Sequence, residues 1–285
     1  MPLVKCKMCL EEKVLVMSHL MPRALYEYCR EGEHRPIKVG GGFVLPTDRQ
    51  TQAYLLCEAC EDILNKGGEG WIADKLATWE RTFPLYDLLA KLPPDFDEEG
   101  MVLYWAAKNP EIKVDKLTHF ALGMFWKASV HSWSGTATDP RIDLGPYSEE
   151  IRAWLRGESG FPKYTYVITV VSPPLRAQIS LIDPYEGVRQ EWRSFFVHVP
   201  GVLFMLNVGK TVDESMQAMC IHNNPRHPIN ISEGLTKHFE QLMVDTVQKS
   251  RKTQAYLKAR AKADQERKRT KGLKSSCDYG QSTDN

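Results

Sequence analysis

Two Cys-x-x-Cys pairs, Cys6–Cys9 and Cys57–Cys60, constrain the fold of this chain more than any other feature. Four thiolates with this spacing can close a tetrahedral zinc site, with each sulfur about 2.3 Å from the metal. Metal binding in such a site can contribute on the order of 10 kcal/mol to folding. That contribution matters because residues 1–70 contain few large apolar side chains. The alternative is that the four thiols carry no ligand.

The remaining cysteines argue for metal rather than for disulfide bonds. Seven cysteines are present, and Cys29, Cys220 and Cys277 have no partner at a motif spacing. An odd count, in a chain without the basic start and apolar core of a signal peptide, does not fit a disulfide framework. No apolar run reaches the length of a membrane-spanning helix. We therefore expect a cytoplasmic protein with no membrane contact.

The net charge of +1 hides an uneven distribution. The segment from Lys249 to Lys274 has eleven Lys and Arg residues against two acidic residues, a local charge of +9, so the rest of the chain carries −8. A basic segment on a mildly acidic body is a common arrangement for contacting nucleic acid. A solvated, disordered tail has the same composition, so both interpretations stay open.

The periodicity of the remaining chain predicts an α+β fold. Residues 117–133 are apolar around most of a helical circumference, which indicates a buried helix. Residues 164–171, 192–199 and 202–208 are β-branched and aromatic, and Pro200-Gly201 predicts a hairpin turn. The helices come first and an antiparallel sheet follows. The predicted division is a zinc-stapled module over 1–70, an α+β domain over 71–231, a C-terminal helix over 232–274 with a basic second half, and a disordered tail over 275–285.

The first cysteine pair is predicted on a knuckle after a strand, and the second at the start of a helix that Gly67-Gly68 stops. This arrangement is called a treble clef. A helix N-terminus favours thiolates through its dipole and its free N–H groups. The loop between the pairs carries Ser18-His19-Leu20-Met21-Pro22. Together with the two knuckles in this order, the segment resembles the HNH endonuclease family, in which a ββα-metal motif is often stapled by two Cys-x-x-Cys pairs.

The resemblance covers about a quarter of the chain and implies roles for single residues. His19 matches the general base that activates a water molecule, a role that suits imidazole because its pKa lies near neutrality. Glu61 stands where the family has its last metal ligand, with Asn65 one helical turn later. Two positions depart from the family: Ser18 replaces a metal-binding Asp or His, and Gln52 replaces the middle asparagine.

A second, catalytic ion follows from the same resemblance. Mg²⁺ or another divalent ion prefers oxygen ligands and would accept Glu61 and Asn65. Glu69 could add a carboxylate, and Arg23, Lys38 and Arg49 flank the predicted site as candidate phosphate contacts. For His19 a packing role, and for Glu61 an exposed helix carboxylate, are the structural alternatives.

The predicted function is a metal-dependent HNH-like endonuclease that hydrolyses DNA phosphodiester bonds, with zinc as structural metal and His19 as general base. The alternative is a catalytically degenerate zinc-finger module that binds DNA or protein, because Ser18 and Gln52 weaken the catalytic pattern. Either protein would fit a phage or anti-phage context.

Overall fold

The computed structural model describes residues 3–30, 37–40, 43–47, 50–78, 80, 82–98, 100–133, 142–173, 181–187, 191–262 and 264–265. Within these ranges the strands are β1 Val4–Lys5, β2 Glu12–Lys13, β3 Leu15–His19, β4 Ile37–Gly40, β5 Phe43–Pro46, β6 Gln52–Cys57, β7 Phe96–Glu98, β8 Met101–Trp105, β9 Thr165–Val171, β10 Ile182–Glu186, β11 Arg193–Val199, β12 Val202–Val208, β13 Pro228–Ser232 and β14 Arg251–Lys252. The α-helices are α1 Arg23–Tyr28, α2 Glu58–Leu64, α3 Gly70–Ile72, α4 Pro84–Ala90, α5 Val114–Val130, α6 Tyr147–Leu155, α7 Glu214–Ala218 and α8 Glu233–Lys249. A π-helical turn spans Asn65–Glu69, and 3₁₀ turns span Ala73–Lys75 and Ala106–Lys108.

The predicted α+β class is confirmed by a seven-stranded sheet in the order β10-β11-β12-β9-β13-β8-β7, accompanied by several helices. The predicted hairpin between β11 and β12 is present, with Val199 paired to Val202 across Pro200-Gly201. One pair in the sheet is parallel, with Asn230 opposite Val170. The expectation of a purely antiparallel sheet is therefore wrong at this point, because the connection from β12 to β13 crosses β9 before the chain re-enters the sheet.

Helix α5 lies at the centre of the main core. The predicted buried helix is confirmed: Phe120, Phe125 and Trp126 are at most 1% exposed. Phe120 meets Phe204 of β12 in an edge-to-face contact, with ring centroids 5.8 Å apart. The same apolar cluster includes cysteines of both pairs. The helix therefore packs on the sheet and reaches the cysteine-containing segment as well.

The strands β3 and β6 pair antiparallel and lead directly into α2. The register places Leu15 opposite Cys57 and His19 opposite Gln52, with an irregularity between Val16 and Met17. A two-stranded ribbon followed by a helix thus brings the end of β3 and the start of α2 into one structural unit.

The predicted helix stop at Gly67-Gly68 is wrong. The chain passes from α2 through the π-helical turn into α3 without leaving helical geometry. A Cβ atom on Gly68 would lie 2.4 Å from the backbone oxygen of Lys116, and one on Gly67 would lie 2.0 Å from His119. These glycines therefore allow close packing against α5 rather than a change of chain direction.

The predicted continuous C-terminal helix over 232–274 is also interrupted. Helix α8 ends at Lys249, and β14 then pairs parallel with β5. Thr253 fixes this departure by donating its side-chain hydroxyl to the carbonyl oxygen of Val44 at 2.9 Å. Residues 254–262 are helical again. Residues 266–285, which include one of the two acidic and five of the eleven basic residues of the segment 249–274, lie outside the described residues.

The chain separates into two compact units, Met1–Arg30 with Arg49–Glu240, and Glu31–Asp48 with Gln241–Asn285. The first unit has a continuous apolar core with members from Cys6 to Ile231. This division differs from the predicted boundary between 70 and 71, because α5 packs on both sides of it. The predicted tail 275–285 lies outside the described residues.

Among the described helices, none combines the length and the apolar character that crossing a bilayer requires.

Candidate metal centre and adjoining histidine site

The four cysteines of the two pairs converge. The sulfur atoms of Cys6, Cys9, Cys57 and Cys60 all lie within 4.8 Å of one another. The distance between the sulfurs of Cys9 and Cys57 is 3.9 Å, far beyond the length of about 2 Å for a disulfide bond. Cys57 ends β6 and caps α2, so the second pair occupies the helix start that the sequence predicted.

The first pair lies in the turn between β1 and β2. The backbone N–H of Leu10 donates to the carbonyl oxygen of Cys6 at 3.0 Å. Leu10 adopts a φ of 63°, in the left-handed region that side chains other than glycine rarely occupy. The N–H of Cys57 points at the sulfur of Cys6 from 3.4 Å. A backbone N–H of the second pair is thus directed at a sulfur of the first pair.

The pKa values of Cys6 and Cys60 shift in opposite directions. Burial raises the pKa of Cys6, but hydrogen bonds from the N–H groups of Cys9, Cys57 and Met8 outweigh it and bring the pKa to about 7. Burial raises the pKa of Cys60 far above the ordinary range. Four clustered thiols cannot all ionise without a positive charge between them. The sulfur donor set, the mutual spacing and the helix N-terminus together fit zinc.

Two arginines, Arg152 in α6 and Arg156 directly after it, contact the segments that carry the cysteines, and the sequence reasoning missed them. A guanidinium nitrogen of Arg156 lies 3.7 Å from the sulfur of Cys60. Arg152, which is buried, donates to the carbonyl oxygen of Met8 at 2.6 Å inside the first knuckle. No local pattern could reveal these contacts, since they join residues 96 and 144 positions apart in sequence.

His19 ends β3 and is half-buried. Burial lowers the pKa of its imidazole below the ordinary 6.5, and the charges of Lys127 and Arg23 lower it further. A hydrogen bond with the Gln50 side chain and the charge of Glu69 act in the opposite direction. The net lowering keeps the imidazole neutral at pH 7, the form that can accept a proton.

Ser18 connects the strand to α2. Its side chain is fully buried, and its hydroxyl oxygen accepts a hydrogen bond from the N–H of Leu56 at 3.2 Å. Burial raises the pKa of the Glu61 carboxyl, while a hydrogen bond with Ser18 and the charge of Lys127 reduce that rise. Oε1 of Glu61 is buried and has no hydrogen-bond partner among the described residues. Ser18 thus supports the carboxylate of Glu61.

Lys127 is the functional candidate that the sequence reasoning did not identify. Its side chain is only 1% exposed, and its Nζ lies 2.7 Å from Oε1 of Glu69 and 2.8 Å from the backbone oxygen of His19. One sequence signal existed: a lysine in a helix that is apolar on most sides must find a partner for its charge. The carboxylate of Glu69, considered from the sequence as a further metal ligand, is bound to this ammonium group.

The other predicted site residues lie apart from this group or outside the described part. Gln52 is exposed opposite His19, and Asn65 is exposed with its Oδ1 next to Gly70. Arg23 forms an exposed ion pair with Glu27 at 3.6 Å. The side chain of Lys38, and Arg49 as a whole, lie outside the described residues.

Within the described residues, the four cysteines are the one group of three or more His, Cys, Asp and Glu side chains with metal-ligand spacing. Beside this group, His19, Ser18, Glu61, Glu69 and Lys127 form a connected set of a neutral base, carboxylates and one ammonium. The four cysteines can hold zinc, and the neutral imidazole of His19 can accept a proton from a water molecule. Comparisons of the chain with models of protein families, with curated proteins and with solved structures found no match.

Proposed function

We propose that this protein is an HNH-like endonuclease that hydrolyses DNA phosphodiester bonds with His19 as the general base. The observation that carries the proposal is the β3–β6–α2 arrangement, which joins His19 through Ser18 to Glu61 next to the cysteine cluster. A ribbon and helix stapled by two cysteine pairs is what the resemblance to the HNH family and its treble clef implies.

Zinc would be held by Cys6, Cys9, Cys57 and Cys60, and its contribution would be structural. Four protein ligands leave no open coordination position, which is typical of structural rather than catalytic zinc. The site would fix the start of α2 against the end of β6. Glu61 directly follows the last of these cysteines, so the staple also sets the position of its carboxylate.

The chemical step would use the imidazole of His19. A water molecule beside His19 loses a proton to the neutral ring nitrogen, and its oxygen forms a bond to phosphorus. The bond between phosphorus and the leaving ester oxygen breaks, and the leaving oxygen takes a proton from solvent. A divalent ion at Glu61, whose buried Oε1 has no partner among the described residues, would supply positive charge to the phosphate. Arg23 is exposed, and its charge lowers the pKa of His19; it is the proposed phosphate contact.

A cleavage assay on supercoiled plasmid with Mg²⁺ or Mn²⁺ tests the proposal. We expect nicking by the wild type and a loss of about 100-fold or more in His19→Ala, because a general base contributes about that much. Glu61→Gln should also lose activity, whereas Glu58→Gln, in the exposed first turn of α2, is the matched control and should not. Equal cleavage by His19→Ala would refute the base assignment, and no cleavage by the wild type would refute the enzyme.

One observation favours the alternative of a DNA- or protein-binding module. In the described part of the chain only the cysteines have metal-ligand spacing, and Glu69 is already paired with Lys127. Under this alternative the wild type and His19→Ala would bind DNA equally, with an affinity that falls steeply with salt, and neither would cleave it.

A further inference from the structure

A buried contact in the first unit joins α5 to the end of β3. Lys127 of α5 reaches the backbone oxygen of His19, a residue 108 positions earlier in the chain, at 2.8 Å. The same ammonium nitrogen lies 2.7 Å from Oε1 of Glu69, at the end of the π-helical turn. One buried nitrogen therefore connects the strand that carries His19 with two helical segments.

This contact is buried, unlike an ion pair on the protein surface. The Lys127 side chain is 1% exposed and that of Glu69 is 14% exposed, so solvent does not compete for either group. A buried ammonium is tolerated only when it is paired and hydrogen-bonded. A lysine ammonium has no acceptor capacity, so it can interact with His19 only by donating to the carbonyl oxygen. The end of β3 is thereby held in one position relative to α5.

We propose that Lys127 is a positioning residue for His19, holding the backbone of the base while Glu69 balances the charge of the ammonium. This role rests on the proposed function of His19 as general base. The α5 helix, which lies outside the HNH-like segment, would then complete its active site. Lys127 itself is too buried to touch DNA, so it would act only through His19.

The charges around His19 make the role measurable without any enzyme assay. The groups that act on its imidazole are Lys127, Arg23, Glu69 and Gln50. Loss of the positive charge at Lys127 should raise the pKa of His19, and loss of the negative charge at Glu69 should lower it. The two substitutions therefore have opposite expected signs, which a general loss of packing would not produce.

The test is an NMR titration of the His19 ring in the zinc-loaded protein, with the signal assigned by His19→Gln. Lys127→Met should raise the pKa of His19 by about 0.5 or more, and Glu69→Gln should lower it. Lys116→Met is the matched control, because Lys116 also lies on α5 and also donates to a backbone oxygen, that of Lys66 at 2.7 Å. It lies eleven residues, or about 16 Å, along the helix from Lys127 and should leave the titration unchanged.

Cleavage kinetics give the second measurement. Lys127→Met should lower kcat about tenfold or more while the KM for plasmid DNA stays unchanged, since the ammonium does not contact DNA. If Lys127→Met fails to fold, Glu69→Gln still tests the coupling by the sign of its effect. An unchanged His19 titration in the folded variants would overturn the positioning role. If the two variants shift the pKa of His19 as expected but the wild type does not cleave DNA, the positioning role is supported and the nuclease is refuted.

Discussion

At the scale of single residues, Ser18 shows how the structure uses a position that looks catalytically defective from the sequence. A serine is a poor metal ligand, and its presence before His19 weakens the match to the HNH family. In the folded chain it is fully buried between the N–H of Leu56 and the carboxyl of Glu61. Its hydroxyl can accept from the first group and donate to the second. Ser18 therefore supports the carboxylate of Glu61 and does not itself act as a metal ligand.

Ser18→Ala should lower the free energy of unfolding by about 1–3 kcal/mol, because it leaves two buried polar groups without a partner. The measurement is urea denaturation of the zinc-loaded protein. Ser159→Ala is the control: its hydroxyl is exposed and, among the described residues, donates to the backbone oxygen of the adjacent Gly160, so the change should stay within about 0.5 kcal/mol. Equal stability of Ser18→Ala and the wild type would show that the buried contacts of Ser18 contribute nothing.

The depressed pKa of His19 predicts the pH dependence of cleavage. A general base works when it is unprotonated, and burial holds the pKa of His19 below 6.5. Activity should therefore rise with pH through a midpoint below 6.5 and stay high at neutral pH. A profile of kcat/KM against pH measures this midpoint. An acidic limb centred above 6.5 would contradict the assignment of this histidine as the base.

At the scale of elements, the π-helical turn Asn65–Glu69 has a specific packing purpose. Gly68 is buried, and the nearest atoms to its missing side chain are backbone atoms of α5, the oxygen of Lys116 and the nitrogen of Phe120. The turn ends at Glu69, the partner of Lys127. The close approach of two helical segments therefore positions the carboxylate that balances the buried ammonium.

Gly68→Ala should destabilise the protein by about 1–3 kcal/mol, because its Cβ would lie 2.4 Å from a backbone oxygen that cannot move aside cheaply. Thermal and urea unfolding measure the effect. In contrast, a Cβ on Gly234 in α8 would meet no atom of another described element within 4 Å, so Gly234→Ala should be neutral or stabilising by about 0.4–1 kcal/mol. Equal effects of the two substitutions would rule out the steric explanation.

At the scale of the whole molecule, the cysteine cluster belongs to the core of the first unit. Its cysteines share one apolar cluster with Trp126 of α5 and Phe204 of β12. Arg152 adds a polar link from α6 to the first knuckle. The cluster is therefore not an independent finger, and its loss should affect the sheet as well.

Removal of zinc with a chelator should lower the melting temperature of the whole first unit in one transition, since metal sites of this type contribute several kcal/mol or more to folding. Hydrogen exchange should show lost protection in β9 and α5 together with β6. Metal analysis should find about one zinc ion per chain in the wild type and less in Cys57→Ser. Cys29→Ser, outside the cluster, should keep the metal. Unchanged protection of β9 after complete zinc removal would show that the module folds separately.

Features that depend on neighbouring residues were predictable from the sequence. The two cysteine pairs, the helix start at the second pair, the buried helix α5 and the hairpin of β11 and β12 all follow from local spacing and periodicity. The helix stop at Gly67-Gly68 was predicted wrongly, because a glycine signals a turn and a close helix contact equally well.

By itself, the sequence determined that four cysteines converge, that the fold is α+β, and which histidine lies between the pairs. Only the tertiary structure decided that β13 runs parallel to β9, that the C-terminal helix breaks to form β14, and that Lys127 holds His19. The physical reason is the range of the interactions: periodicity reports which side of an element is buried, but not which distant group covers it. A buried lysine signals that it needs a partner, and only the fold supplies the identity of that partner.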